Sequence, residues 1–261
     1  SMAVDEGHVV GAMRATEESE VMGINDRVQL AEAETEYRQR VVLELMRGGV
    51  SLADPARVDV RGALQCEEDV GIDVNCVFEG EVTLGKGVTI GPNCVLRNCR
   101  IGAGTTIHAM SHIDDAVVGG ECNVGPYARL RPGTALADGA RIGNFVETKK
   151  AQIGAGSKVN HLSYIGDAEL GSGGNGGAGT HTCNYDGINK HRTEMGDGVF
   201  IGSNSTLVAP VTIESGGFVG AGSTVTRDVP SEALAVSRAK QRNVEGWQTP
   251  KQRADESPKE D

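Results

Sequence analysis

Aromatic residues make up only 3% of the 261 positions, and no run of about 18 apolar residues occurs anywhere in the chain. The first lack excludes a core built around large rings, and the second excludes a helical membrane span. The six cysteines, at 66, 76, 94, 99, 122 and 183, include no C-x-x-C pair. In a chain of this length they read as reduced thiols serving as small buried fillers. Basic charge is also short: 25 Lys and Arg against 36 Asp and Glu leave a formal charge of −11, which argues against a nucleic-acid partner. No basic-then-apolar leader stands at the start, so a cytoplasmic location is expected. Glycine, by contrast, is abundant, with 37 residues, about 14% and roughly twice the ordinary share. Scattered glycines in an aromatic-poor chain would mean disorder; periodic ones mean something else.

The ends differ from the middle. Residues 1–22 are polar, acidic and aperiodic, and Ser1-Met2 resembles an expression scar, so this stretch is expected to be disordered. Within 23–50, Asn25-Asp26 can cap a linker helix carrying Val28, Leu30, Tyr37, Val41, Leu45 and Met46, which Gly48-Gly49 would end. Residues 231–261 form a C-terminal arm and tail, charged and Pro/Gln-rich from Val244 onward. Charge is uneven too: residues 1–120 hold 20 acids and 10 bases, the rest 16 and 15, so the second half carries most of the cations an anionic substrate needs.

Across 51–230 the glycines fall into order. Aliphatic residues recur about every six positions: Ile72, Phe78, Leu84, Ile90, Leu96, Ile101, Ile107, Ile113, Val118, Val124, Leu130, Leu136 and Ile142. The series resumes at Ile153, Val159 and Ile165, and again from Met195 through Ile201, Leu207, Ile213, Val219 and Val225. Glycine often follows the aliphatic residue, and a small or β-branched one precedes it by two, as at Val88, Cys94, Ala128 and Ser205. A period of six fits neither a helix nor a simple alternating strand. It fits a triangular coil in which three hexads make one turn, the aliphatic residue points inward, and coils stack at about 4.8 Å. The expected class is all-β, a parallel β-helix of hexapeptide repeats preceded by one linker helix.

Function in repeat proteins concentrates where the period breaks. The largest break runs from Cys183 to Glu194 and contains Asn184-Tyr185-Asp186-Gly187 and then Lys190-His191-Arg192. Two other irregular stretches place Arg131 and Lys149 18 residues apart, one coil in such a prism, so the two cations should stack. Stacked like charges cost stability, and an anion such as a phosphate between them relieves it.

The strings Ala128-Arg-Leu-Arg-Pro-Gly133, Gly143-Asn-Phe-Val-Glu147 with Lys149-Lys150, His161-Leu-Ser-Tyr-Ile-Gly-Asp167 and Ala178 to Gly187 carry a resemblance. Val199-Phe-Ile-Gly-Ser203, Leu207-Val-Ala-Pro210 and Thr224-Val-Thr-Arg-Asp228 extend it, from about Val21 to Trp247. Together they resemble the C-terminal acetyltransferase half of the bacterial bifunctional glucosamine-1-phosphate acetyltransferase and N-acetylglucosamine-1-phosphate uridyltransferase. The resemblance implies a left-handed coil and acetyl transfer from acetyl-CoA, as substrate, to the amine of glucosamine-1-phosphate. That step serves the synthesis of UDP-N-acetylglucosamine, peptidoglycan and lipopolysaccharide.

By the same resemblance His161 is the catalytic base, with Glu147 orienting or polarising it. A histidine suits that work because its ordinary titration range spans neutral pH. Arg131, Lys149, Tyr164 and Lys190 match sugar-phosphate binders, and Asn175 and Asn184 match contacts near the sugar and the reacting groups. Ala178, Asn184, Tyr185, Ser203, Ala221 and Arg238 match the acetyl-CoA site. The resemblance further implies a homotrimer with sites between prisms and no metal, while the net charge and the lack of a long apolar run leave no nucleic-acid or membrane partner expected. The family's nucleotide-binding domain is not among the matching strings.

Two departures stand out. Where the family reads Asn-Ile-Gly-Ala-Gly-Thr-Ile-Thr, this chain has Asn175-Gly176-Gly177-Ala178-Gly179-Thr180-His181-Thr182. By the six-residue count Gly176 falls in an inward aliphatic slot, and His181 is expected at the surface. A non-catalytic structural trimer is one alternative. Another is a zinc enzyme using His108, His112, His161, His181 or His191 at subunit seams.

Overall fold

The computed structural model describes residues 5–256; Ser1-Met2 and the last five residues of the expected tail lie outside the described residues. Helix α1 spans Arg27–Arg47, capped at its start by Asp26, whose carboxylate accepts from Val28 N at 2.9 Å and Gln29 N at 2.8 Å. Gly48 ends it, as expected. Val42 is buried in the contact that joins the helix to the first coil, and Val41 and Leu45 pack beside it.

From Ser51 the chain winds as a parallel β-helix. All laddered strand pairs are parallel, in one 11-stranded and one 14-stranded sheet, the second bending round a corner to make two of the three faces. Face 1 carries short strands such as Arg141–Asn144, Lys158–His161 and Asn175–Gly176. Faces 2 and 3 are the two halves of longer strands such as Glu147–Ile153 and Tyr164–Leu170. Most successive coils are offset by 17 or 18 residues, as in Glu147↔Tyr164 and Arg129↔Glu147, and the coil that carries the long loop by 25, as in His181↔Thr206.

Every aliphatic residue of the hexad series is buried, and the small residues two places before them are buried beside them. At the first gap in the series the inward slot holds Thr148, and at the second the slots hold Leu170, Gly176 and Thr182. Thr148 bonds the Thr134 hydroxyl at 3.1 Å. Thr182 takes the Gly166 N–H at 2.7 Å and returns its own O–H to Gly166 O at 3.0 Å, a side chain standing in for the ladder. Polar slots of this kind escape an aliphatic pattern.

Gly176 pairs with Val159 and Ile201 in the inward column and is buried. A Cβ there would meet Val159 Cγ2 at 3.2 Å, and the backbone is not left-handed. Gly176→Ala should therefore stabilise the protein by about 0.4–1 kcal/mol by restricting the unfolded chain. Thermal unfolding tests this, and a lowered Tm would show that Val159 cannot give way.

Three expectations need correction. Cys76, Cys94, Cys99 and Cys122 are buried fillers, and burial pushes the Cys94 and Cys99 thiols up to about 12. Cys66 is only half-buried and Cys183 is exposed, because it occupies an outward position of its strand. The coil also continues past residue 230, since Leu234–Ala235 pairs with Phe218–Val219. Finally, the tail forms a short helix α2, Pro250–Glu256, where no structure was expected. Thr249 and Gln252 cap it reciprocally, at 2.8 and 3.3 Å, and Pro250 supplies the preset first turn. Residues 18–21 likewise make one 3-10 turn in the leading segment.

Candidate active site

One corner of the prism, between faces 1 and 2, collects residues from five coils. Asn144 pairs with His161 in register. Above His161 the equivalent positions are Ala178, Ser203 and Ala221, fixed by Gly179 N to His161 O, Asn204 N to Ala178 O and Gly222 N to Ser203 O at 3.2, 2.7 and 2.8 Å. The carbonyls of this column are thus used to join coils. The N–H groups of Ala178, Ser203 and Ala221 make no bond among the described residues. At the upper end the Arg238 guanidinium donates to Ala221 O.

Coils approach closely here: a Cβ on Gly177 would lie 2.6 Å from Ile201 O and Ser203 N, so only glycine fits beneath the column. His161 is exposed, and its Nδ1 lies 2.7 Å from Asn144 Oδ1. An amide oxygen only accepts, so Nδ1 carries the proton and Nε2 keeps the lone pair. A groove lined by Asn123, Arg141, Asn144, Asn160 and His161 opens alongside.

Across face 2 lie the cations. Lys149 pairs with Gly166, and Arg131 stands one coil below Lys149, its N–H donating to Thr148 O at 2.9 Å. The stacking expected from the 18-residue spacing is present. Lys190 reaches the same place from the long loop. The neighbouring Lys190 charge and then Arg131 push the pKa of Lys149 down from the ordinary lysine value, with Asp167 opposing them. Tyr164 lies between the cations and the corner. Its phenol covers Gly166, where any Cβ would collide with it, so that glycine makes room for the ring.

The loop itself is ordered by Asp186. Its carboxylate accepts from Ile188 N at 2.8 Å, Asn189 N at 2.6 Å and His191 Nε2 at 2.7 Å, and these bonds, His191 first, hold its pKa well below the usual carboxylate range. Asn184 donates to Asp167, which anchors the loop to face 2. Arg192 leaves the cluster to pair with Glu169.

Glu147 is placed differently from the expectation. Its carboxylate accepts from Arg131 Nη1 at 2.7 Å and lies 3.8 Å from Arg129, because the register sets Glu147 directly over Arg129. The ring of His161 is held instead by Asn144, which the sequence reading passed over. The signal was present: Asn144 is 17 residues before His161, one coil, within a string already singled out. Asp167 was passed over as well. Asn175 sits on face 1 between Lys158 and Phe200 and does not join the cation cluster of its own chain. Asn184 and Tyr185 lie in the loop at the far edge of face 2 from the Ala178 column.

Beside His161 runs an apolar ridge. Met110, Tyr127, Phe145 and Leu162 come from successive coils and are about half exposed, all with left-handed backbones (φ 61, 58, 56 and 49°). Tyr127 and Phe145 stack at 5.2 Å. Bulky residues in that region are strained by about 1–3 kcal/mol each, which surrounding contacts must offset. No helix among the described residues is long and apolar enough to cross a membrane, and no three His, Cys, Asp or Glu among them converge as metal ligands.

Residues 192–227 match the model of the bacterial transferase hexapeptide (six repeats), and residues 60–164 match that of the GMPPB C-terminal domain. More particularly, the chain is a homologue of the bifunctional protein GlmU. It is 58% identical over 255 residues to that of Alkalilimnicola ehrlichii, covering 98% of this chain and 55% of the relative. It is 59% identical over 250 residues to that of Cellvibrio japonicus, covering 96% and 55%. The chain therefore spans about half the length of these relatives. Among solved structures it is similar to the UDP-N-acetylglucosamine acyltransferase from Campylobacter jejuni, at 17% identity and a TM-score of 0.47, covering 74% of this chain and 75% of that one.

Proposed function

We propose that the chain is an acetyl-CoA-dependent N-acetyltransferase that converts glucosamine-1-phosphate to N-acetylglucosamine-1-phosphate, the C-terminal activity of the bifunctional relatives. One observation carries the reading: His161 stands at the foot of a column of free N–H groups, with a cation cluster across the same face. The thioester end of acetyl-CoA lies at His161, its arm runs up the Ala178–Ser203–Ala221 edge, and its phosphates meet Arg238. Arg131, Lys149 and Lys190 hold the sugar phosphate, and Tyr164 supports the ring. Glu147 positions Arg131 rather than the base.

The bound ammonium first gives one proton to solvent. The freed lone pair attacks the thioester carbonyl while His161 Nε2 takes the second proton from that nitrogen. The resulting oxyanion is stabilised by a free N–H, that of Ala178 being nearest along the column. Collapse breaks the C–S bond, and the imidazolium returns its proton to the departing thiolate. A reaction of the protein with acetyl-CoA and glucosamine-1-phosphate should release one free thiol per amine acetylated. No thiol above blank would favour the non-catalytic trimer.

A homotrimer completes the site. In one chain the loop contacts Asn184 and Tyr185 stand across face 2 from the column they are expected to serve. A neighbouring prism docked on the Met110–Leu162 ridge would bring its own loop or Asn175 to that column, and it would cover the strained side chains. Phe145→Asp should convert a species of three 27.3 kDa chains to monomer in light scattering, with activity falling alongside. An unchanged mass would place the interface elsewhere. The reading also makes the protein cytoplasmic, where acetyl-CoA is available.

A further inference from the structure

His181 departs from the family pattern, and the structure puts it on the site face. It pairs with Tyr164 below and Thr206 above, in the outward column of face 2, and is exposed. Its ring turns back toward the corner, with Nδ1 2.9 Å from Gly179 O, the residue after Ala178 in the column. A carbonyl only accepts, so Nδ1 donates its proton and Nε2 is left as an acceptor. At the column positions the backbone offers donors: the N–H groups of Ala178, Ser203 and Ala221 make no bond among the described residues, while the Ala178 and Ser203 carbonyls are engaged by the next coil. An arm built of amides brings one N–H for every carbonyl. His181 Nε2 adds a side-chain acceptor to an edge whose column carbonyls are already engaged.

We propose that His181 is a positioning residue for the acyl carrier, its Nε2 accepting an amide N–H of the pantetheine arm. This rests on the reading that acetyl-CoA lies along the corner column. A histidine does here what the family's isoleucine cannot, and it adds a polar contact beside the glycine run at 173–177.

The test is calorimetric titration of CoA into the wild type, His181→Ile and His181→Gln, paired with steady-state kinetics. Loss of one net hydrogen bond should weaken the CoA Kd by about 3- to 10-fold in His181→Ile. His181→Gln, whose amide oxygen also accepts, should recover most of it. The KM for acetyl-CoA should rise with the Kd, and the KM for the amino sugar should not. An unchanged CoA Kd in His181→Ile, or a change confined to the amino sugar, would overturn the proposal. A wild type that binds CoA but acetylates nothing would overturn the proposed function and leave the His181 contact standing. A wild type that binds no CoA would overturn both.

Discussion

His161→Ala should lower kcat by about 10²–10⁴, the range expected when a positioned general base is removed. The melting temperature and the assembly should stay as they are. The separation follows from the geometry: the imidazole is exposed and its one side-chain hydrogen bond among the described residues is to Asn144, so truncating it opens no core cavity. The KM for acetyl-CoA should change little, because the column above offers backbone N–H groups that the substitution leaves in place. Turnover within twofold of the wild type would remove His161 from the base role.

The second large effect is expected from Lys149→Ala. Its ammonium sits against that of Lys190 and the guanidinium of Arg131, an arrangement unfavourable by itself and relieved by a dianion. Deleting one charge-assisted contact should raise the KM for glucosamine-1-phosphate by about 10- to 100-fold. The wild type's preference for glucosamine-1-phosphate over unphosphorylated glucosamine should shrink by a similar factor. High salt should weaken acceptor binding more in the wild type than in the variant, since screening acts on the charge removed. A variant in which only CoA affinity changed would show that the phosphate sits elsewhere.

Much of this is legible in the sequence. The hexad period located the inward aliphatic residues, and the 18-residue spacing placed Arg131 against Lys149. Asp26 and Gly48 bound the helix as their capping chemistry requires. What the period could not show was the inward pair Thr148 and Thr182, because a hydroxyl in an aliphatic slot breaks the pattern that identifies the slot. Glu147 was read toward His161 because both stand in recognisable strings. Register, which sets partners one coil apart, gave the histidine to Asn144 and the carboxylate to Arg131. The path of the long loop was illegible for a different reason. Its shape depends on three hydrogen bonds converging on Asp186, a local solution with no periodic signature. The short capped helix at the end was missed because composition outweighed the Thr249-Pro250 start signal.

The central claim is that the acyl carrier lies along one corner of the prism with its reacting end at His161. A crystal structure with CoA bound tests it directly. The account predicts the sulfur beside His161, the arm bonded to the N–H groups of Ala178, Ser203 and Ala221, and the nucleotide end at Arg238. A carrier on another corner, or one running the opposite way with its nucleotide at His161, would contradict it.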